Sequence, residues 1–362
     1  MNGIQQLRQL GQSLWLDNIT RGMLDSGTLA GYIRDFSITG LTSNPTIFEH
    51  AIGKADFYDE AIRQKSAAGK SAEELFFELA LDDLTRAADL FRPTFDTTDG
   101  TDGWASLEVS PLLANEAAAS FRMASQLHAR AKRPNLFIKI PGTPEGNVAI
   151  EESIFAGVHI NVTLLFSTEQ YLASAEAYLR GIERRIAAGR DPRIASVASL
   201  FISRWDVASK DQLPASLQNR LGIAVAMRTY RAYRELLASP RWKKLEAAGA
   251  HPQRLLWAST GTKDPAAPDT LYVEALAAPQ TINTMPEKTL FAYADHGAVK
   301  KVLDADGGDS VAVLAECRKA GIEEAALALR LQREGADAFS KSWNALLQQI
   351  VAKAGQLAQT AG

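Results

Sequence analysis

Eight short apolar runs, most of them followed by a segment of helical periodicity, constrain the fold of this chain more than any other feature. They are LWLDNI (14–19), ITGLTSN (38–44), WASLEVS (104–110), NLFIKIP (135–141), HINVTLLF (159–166), ASVASLFIS (195–203), RLLWAST (254–260) and QTINTMP (280–286). Runs that are apolar on both sides predict strands buried on both faces, as in a parallel sheet. Eight such units in 362 residues favour a (β/α)8 TIM barrel over an open doubly wound sheet. No GxGxxG follows an early strand and no Walker GxxxxGK(S/T) is present, which counts further against the open sheet.

The segments between the runs read as helices. Leu75, Leu79, Leu84, Ala88 and Leu90 predict a helix over 72–91, with Pro93 following its end. A long amphipathic helix is expected over 168–188, opened by Ser167 as N-cap with Gln170 completing a capping box. The stretch 46–103 exceeds one crossover helix, so extra helices are expected as an insertion after the second strand. The Ala- and Leu-rich tail, 311–358, predicts C-terminal helices packed over the barrel. No linker and no repeat beyond the βα alternation divide the chain, so 1–362 reads as one barrel domain.

Composition narrows the function classes. A net charge of -3 gives no reason to expect nucleic acid or an anionic membrane as partner. No apolar run approaches the roughly 18 residues a membrane span needs. The first residues lack the charged and apolar regions of a signal peptide. The single cysteine, Cys317, falls in a helical stretch and reads as a structural thiol in a reducing compartment. A cytoplasmic location is expected.

Within NLFIKIP, Lys139 stands where charge is expensive. Burial drives a lysine towards its neutral form, and a neutral amine in an apolar pocket is a nucleophile suited to a Schiff base. The bland alternative is a lysine that caps the strand end and reaches solvent. The remaining polar residues weigh against that alternative. In such a barrel the active site lies at the C-terminal strand ends, and there fall Asp17, Asn44, Glu108, Asn161, Thr163, Ser199, Ser203, Arg204 and Ser259. An iminium on Lys139 is an electron sink for carbon–carbon cleavage. Glu108 with Thr163 suits holding one water for proton transfers, and Asp17 suits taking a proton from a substrate hydroxyl. Asn44 and Asn161 suit bonding substrate hydroxyls. Ser199, Arg204 and Ser259 suit a phosphate, with Lys263 of TGTKDP as a second cation. The five histidines are widely spaced without HxH or HExxH, and a cationic Lys139 opposes Mg²⁺ on Asp17 and Glu108, so no metal is expected.

LWLDNI, ITGLTSNPTIF, SLEVSP, LFIKIPGTPEG, INVTLLFS, SLFISRWD and WASTGTKDP, in this order, resemble the transaldolase family. TSNPT and INVTLLFS are the most specific, and the resemblance runs from about residue 12 to the C-terminal helices. The early insertion, PDTLYVEAL and NTMPEKT resemble the longer bacterial and plant-type subfamily, some of whose members are fused to glucose-6-phosphate isomerase. The resemblance implies that Lys139 is the Schiff-base lysine, Asp17 the acid–base aspartate, and Glu108 the glutamate acting with Thr163 through a water. It implies Asn44 and Asn161 as pocket asparagines, and Ser199, Phe201 and Arg204 as the segment that shapes the pocket and binds phosphate. Better-known members carry an arginine two residues after the serine matching Ser259; here that position is Gly261, which leaves Lys263 as the candidate second cation. The implied reaction moves a dihydroxyacetone unit from sedoheptulose 7-phosphate to glyceraldehyde 3-phosphate, with no cofactor. Sugar phosphates are then the partners, and the insertion and tail offer surfaces to a homodimer without selecting one. The rival activity is that of a fructose-6-phosphate aldolase, whose members resembling this chain are shorter and tend to carry glutamine where Glu108 stands. A catalytically inactive barrel is opposed by the complete set Asp17, Glu108, Lys139 and Thr163.

Overall fold

A computed structural model describes residues 2–54, 56–66 and 69–359, and each of the eight runs overlaps a strand. These are β1 (Gln12–Leu16), β2 (Gly40–Leu41), β3 (Ala105–Glu108), β4 (Leu136–Pro141), β5 (Ile160–Leu165), β6 (Ser196–Phe201), β7 (Gln253–Ala258) and β8 (Thr281–Met285). All pair in parallel, in the order β2-β1-β8-β7-β6-β5-β4-β3. A parallel bridge between Gly40 and Trp104, with Leu41 N–H donating to the Trp104 carbonyl at 2.9 Å, joins the two outer strands into a barrel.

The alternation of side chains across each strand splits the apolar residues into two bodies. Leu136, Ile138 and Ile140 of β4 point outward, into the core shared with the surrounding helices. Phe137 joins Trp15, Trp104, Val197, Leu256 and Ile282 inside the barrel, in a second apolar body that continues into the later helices. Lys139 lies two residues beyond Phe137, so it points inward too. The register aligns Glu108 with Lys139 and Lys139 with Asn161, which brings three polar side chains of neighbouring strands to one level. The six tryptophans are all fully buried, as core packing requires.

The strands are shorter than the runs that announce them. Asp17, Asn44 and Ser259 stand just beyond strand ends, on the loops that form the mouth, and Ser203 opens the short helix Ser203–Ser209 that follows β6. The insertion consists of helices Pro45–Lys54, Asp59–Ser66 and Ala72–Thr97. The last of these corrects the expected boundary at Pro93, through which the helix continues. Pro93 and Asp89, whose carbonyl loses its partner, are both on the exposed face, where water can replace the missing bond. Leu90 of the expected apolar stripe is also exposed, at 37%. The capping box of Ser167 and Gln170 opens the helix Thr168–Ala187 as expected. The tail forms Ser310–Lys319, which buries Cys317, and a final helix, Glu324–Gln359, of 36 residues. That final helix packs on Pro45–Lys54 and reaches β5. No helix among the described residues is long and apolar enough to cross a membrane.

Candidate active site

Lys139 is 4% exposed, and its ammonium has two neighbours. Nζ donates to the Ser43 carbonyl at 3.0 Å and lies 3.4 Å from Glu108 Oε2. The Ser43 carbonyl is held in place because Ser43 Oγ donates to the Ser106 carbonyl at 2.7 Å, pinning the TSN segment to β3. Glu108 is equally buried, and beyond the lysine neither of its carboxylate oxygens has a hydrogen-bond partner among the described residues. Burial pushes its carboxyl above the usual carboxylate range, and the charge on Lys139 only partly opposes this. Thr163 Oγ1 is likewise buried without a partner. One carboxylate with both oxygens orphaned beside the amine, and one orphaned hydroxyl, form a site that can hold a proton or a small polar molecule.

Asp17 occupies the opposite wall. Its Oδ1 accepts from Thr42 Oγ1 at 2.7 Å, and Thr42 Oγ1 lies 2.7 Å from Thr284 Oγ1. Since Thr42 gives its proton to the carboxylate, Thr284 donates to Thr42. Burial raises the Asp17 carboxyl, while Lys139, the Thr42 hydrogen bond and Lys263 pull it down. Asp17, Thr42, Asn44, Lys139, Thr163, Ser199, Phe201, Arg204, Ser259, Gly261 and Lys263 line one cavity of about 120 Å³, with Phe339 and Pro286. The cavity adjoins a wider bay of about 500 Å³ that shares Asn44, Arg204 and Phe339 and extends to His50 and Thr20.

Two local features of the backbone shape this mouth. The β5 register breaks between Val162 and Leu165, with Leu164 at φ 57°. A left-handed leucine is unusual, and the bulge turns the Leu164 side chain towards the final helix, where it packs against Gly335. Ser259, directly after β7, also has a positive φ, 56°. Its carbonyl accepts from Ser203 N–H at 3.1 Å and its hydroxyl lies 2.8 Å from that of Ser203, which ties the β6 and β7 ends together.

Arg204 makes no ion pair among the described residues; its guanidinium stacks over Phe201 at 5.2 Å and Phe339 at 5.9 Å. Its burial lowers its affinity for the proton. A partly desolvated guanidinium held by two aromatic faces, with its donors free, is a ready anion receptor. Lys263 is exposed at the rim of the same cavity.

Most of the residues expected from the sequence converge here, but their partners qualify some roles. Asn161 is fully buried, donates to Ser106 Oγ at 3.2 Å, and accepts from Ser199 Oγ at 2.7 Å. It is not part of the cavity lining, and both ends of its amide are engaged, by Ser106 of β3 and Ser199 of β6. Ser199 therefore spends its proton on Asn161, although its side chain does border the cavity. Asn44 Oδ1 accepts from Ile47 N–H at 3.1 Å, capping Pro45–Lys54 and leaving its amide nitrogen towards the cavity. Thr42, Ser43 and Thr284 join the site beyond the expected set; their signal is their place in TSN and NTM, at the ends of two apolar runs. Gly335, Gln332 and Phe339 carry no local sequence signal, since they lie inside a long helix. His159 accepts from Ala195 N–H at 3.0 Å and is held neutral by burial, down to about 3, as a structural histidine. Among the described residues no group of acids, histidines and cysteines is placed to hold a metal ion.

The larger cavity, about 650 Å³, opens at the other end of the barrel, around Ser13, Asp102 and Arg254. In this architecture the strand C-terminal end is where chemistry resides. The class defined by fold and site is thus a parallel βα barrel with a buried lysine and two carboxylates at the C-terminal ends of its strands. Residues 14–350 match the family described as transaldolase/fructose-6-phosphate aldolase. Its relatives include a transaldolase of Parafrankia, 43% identical over 98% of this chain and 99% of the relative. Transaldolases of Saccharopolyspora erythraea (44% identical, 96% of this chain, 97% of the relative) and Thiobacillus denitrificans (42%, 97% and 100%) are similar to it as well. The chain belongs to the transaldolase/fructose-6-phosphate aldolase family.

Proposed function

We propose that the protein is a transaldolase that moves a dihydroxyacetone unit between sugar phosphates through a Schiff base on Lys139. The observation that carries this reading is the buried pair of Lys139 and Glu108, 3.4 Å apart, with the lysine lining one small cavity together with Asp17. Transfer of the ammonium proton to a carboxyl already pushed up by burial leaves both groups neutral, which suits the dry site. The amine then adds to the ketose carbonyl. Glu108 returns a proton, through a water shared with Thr163, as hydroxide leaves and the iminium forms. Asp17 takes the proton of the C4 hydroxyl, the C3–C4 bond breaks, and its electrons enter the iminium as an enamine. The enamine adds to the acceptor aldehyde, Asp17 returns the proton, and hydrolysis frees the product ketose. Sedoheptulose 7-phosphate and glyceraldehyde 3-phosphate become erythrose 4-phosphate and fructose 6-phosphate.

Arg204 supplies the phosphate contact, and Lys263 at the rim the second cation that Gly261 does not provide. Asn44 bonds a substrate hydroxyl through its free amide nitrogen; Asn161 and Ser199 shape the floor. The chain's only cysteine is buried, as suits a reducing cytoplasm. Borohydride reduction in the presence of fructose 6-phosphate, followed by peptide mapping, tests the mechanism. A reduced three-carbon adduct on Lys139 is expected, and an adduct on another lysine, or none, overturns it. Efficient release of free dihydroxyacetone without an acceptor aldose would instead mark an aldolase.

A further inference from the structure

Gln332, in the middle of the final helix, is 7% exposed, and its amide nitrogen spends both protons on backbone carbonyls. It donates to the Gly142 carbonyl at 3.0 Å and to the Leu164 carbonyl at 3.0 Å. Neither acceptor has its ordinary place in the sheet. Gly142 lies just past the end of β4, and Leu164 is the bulged residue of β5. Buried carbonyls without donors are costly, so a donor from outside the barrel compensates for the break in the ladder. The two acceptors are themselves coupled, because Gly142 N–H donates to the Thr163 carbonyl at 2.8 Å. A Cβ on Gly142 would come within 2.3 Å of Leu165 Cδ2, so this approach requires glycine.

Three residues before Gly142 is Lys139, and directly before Leu164 is Thr163. We propose that Gln332 is a positioning residue for the Lys139 chemistry. By tying the Gly142 and Leu164 carbonyls it fixes the ends of β4 and β5 relative to each other, and so the amine relative to the Thr163 hydroxyl. The same helix face continues one and two turns on, at spacings that keep residues in line. Gly335 stands where a Cβ would lie 2.9 Å from Leu164 Cδ2 and 3.1 Å from Arg204 Nη1, and Phe339 carries the Arg204 guanidinium. Gln332 therefore acts on the reacting end of the cavity, Phe339 on the phosphate end, and Gly335 leaves room for both Leu164 and Arg204.

This inference rests on the Schiff-base reading, so the wild-type adduct on Lys139 is established first; its absence would end that reading and not this one alone. Gln332→Leu keeps the volume and removes both donors. Its kcat and its rate of borohydride-trappable iminium formation should fall together, on the order of 10- to 100-fold, as expected for sub-ångström misplacement of reacting groups. The KM for fructose 6-phosphate should change by less than about threefold, because phosphate binding is untouched. Arg204→Gln should give the opposite split: a raised KM with kcat largely kept. Leu327→Ala, a buried truncation on the same helix away from both carbonyls, controls for loosened docking. If Gln332→Leu folds poorly, Gln332→Asn, whose shorter amide cannot reach both carbonyls, replaces it. Wild-type kcat in the Gln332 variant overturns the proposal. So does an equal loss of kcat in Leu327→Ala at the same fall in melting temperature, since Gln332 would then be a tether only.

Discussion

At the scale of single residues, the site works by keeping charged groups short of partners. Asp17 has one hydrogen-bond donor, Thr42, and that bond lowers a carboxyl which burial raises. Thr42→Val preserves the shape and removes the donor, so the carboxyl should rise further. If Asp17 must be ionised to accept the substrate proton, the acid limb of kcat should move to higher pH. A pH–rate profile whose acid limb stays in place or moves down would refute that role. Arg204, which makes no ion pair among the described residues, carries a second prediction. Arg204→Gln should raise KM for a phosphorylated ketose by about 10- to 100-fold, the worth of a charge-assisted hydrogen bond of about 1.5–3 kcal/mol. Paired assays with free fructose check this, and equal effects on both sugars would mean that Arg204 shapes the pocket without binding phosphate. Most of these residues were legible in the sequence because each stands as a polar side chain late in an apolar run. The engagement of Asn161 by Ser106 and Ser199 was not, since cross-barrel partners depend on register.

Among the secondary-structure elements, helix junctions behind the mouth carry buried charge as well. Asp206, two residues after Arg204, accepts from Tyr272 Oη at 2.8 Å and from Gly222 N–H at 3.2 Å, joining three helices. Burial raises its carboxyl to about 6, with these hydrogen bonds opposing. Between the unfolded value of 3.8 and about 6 the folded state holds more protons than the unfolded chain. Its contribution to stability is therefore complete below the unfolded value and is lost as pH rises through the folded one. A carboxyl displaced this far changes stability across that window by roughly 3 kcal/mol. His159 acts in the opposite sense, losing stability as pH falls below its ordinary value of 6.5, so the wild-type profile shows the two offsetting each other. In Asp206→Asn the carboxyl's opposing contribution is gone, so melting temperature should rise more steeply from pH 4 to 6 than in the wild type. A parallel profile would remove Asp206 from the balance. All eight strands and the long helices were readable from period and caps, because those signals are local. The end of the helix Ala72–Thr97 was not, because a proline on an exposed face forfeits a bond that water replaces. The contribution of Glu324–Gln359 to the site was invisible, because a glutamine inside a helix looks the same whether it faces solvent or a strand end.

Across the whole molecule, the barrel interior is polar at both ends and apolar between. The lower end is closed by Arg254, which donates to Ser13 Oγ at 2.6 Å and to the Thr101 and Thr281 carbonyls at 2.9 and 3.0 Å. Asp102 completes the cluster, 3.5 Å from Arg254 Nη1, accepting from Trp15 Nε1 at 3.0 Å and from Ser13 Oγ. The cluster links the loop before β3 to β1 and β7, beneath the apolar layer of Trp15, Phe137 and Leu256. Division of labour in such barrels assigns stability to this face and chemistry to the other. Asp102→Asn leaves the Arg254 guanidinium buried without its counter-charge, a loss on the order of 3 kcal/mol. The retained carbonyl acceptors hold the guanidinium in place, so the strands should keep their register. The variant should then unfold at lower denaturant concentration with an unchanged slope, while kcat and KM of the folded fraction match the wild type. Chemical denaturation beside steady-state kinetics decides it. A fall in kcat at full folding would mean that the apolar layer transmits the lower end's packing to Lys139, and that the two ends of this barrel are not energetically separate.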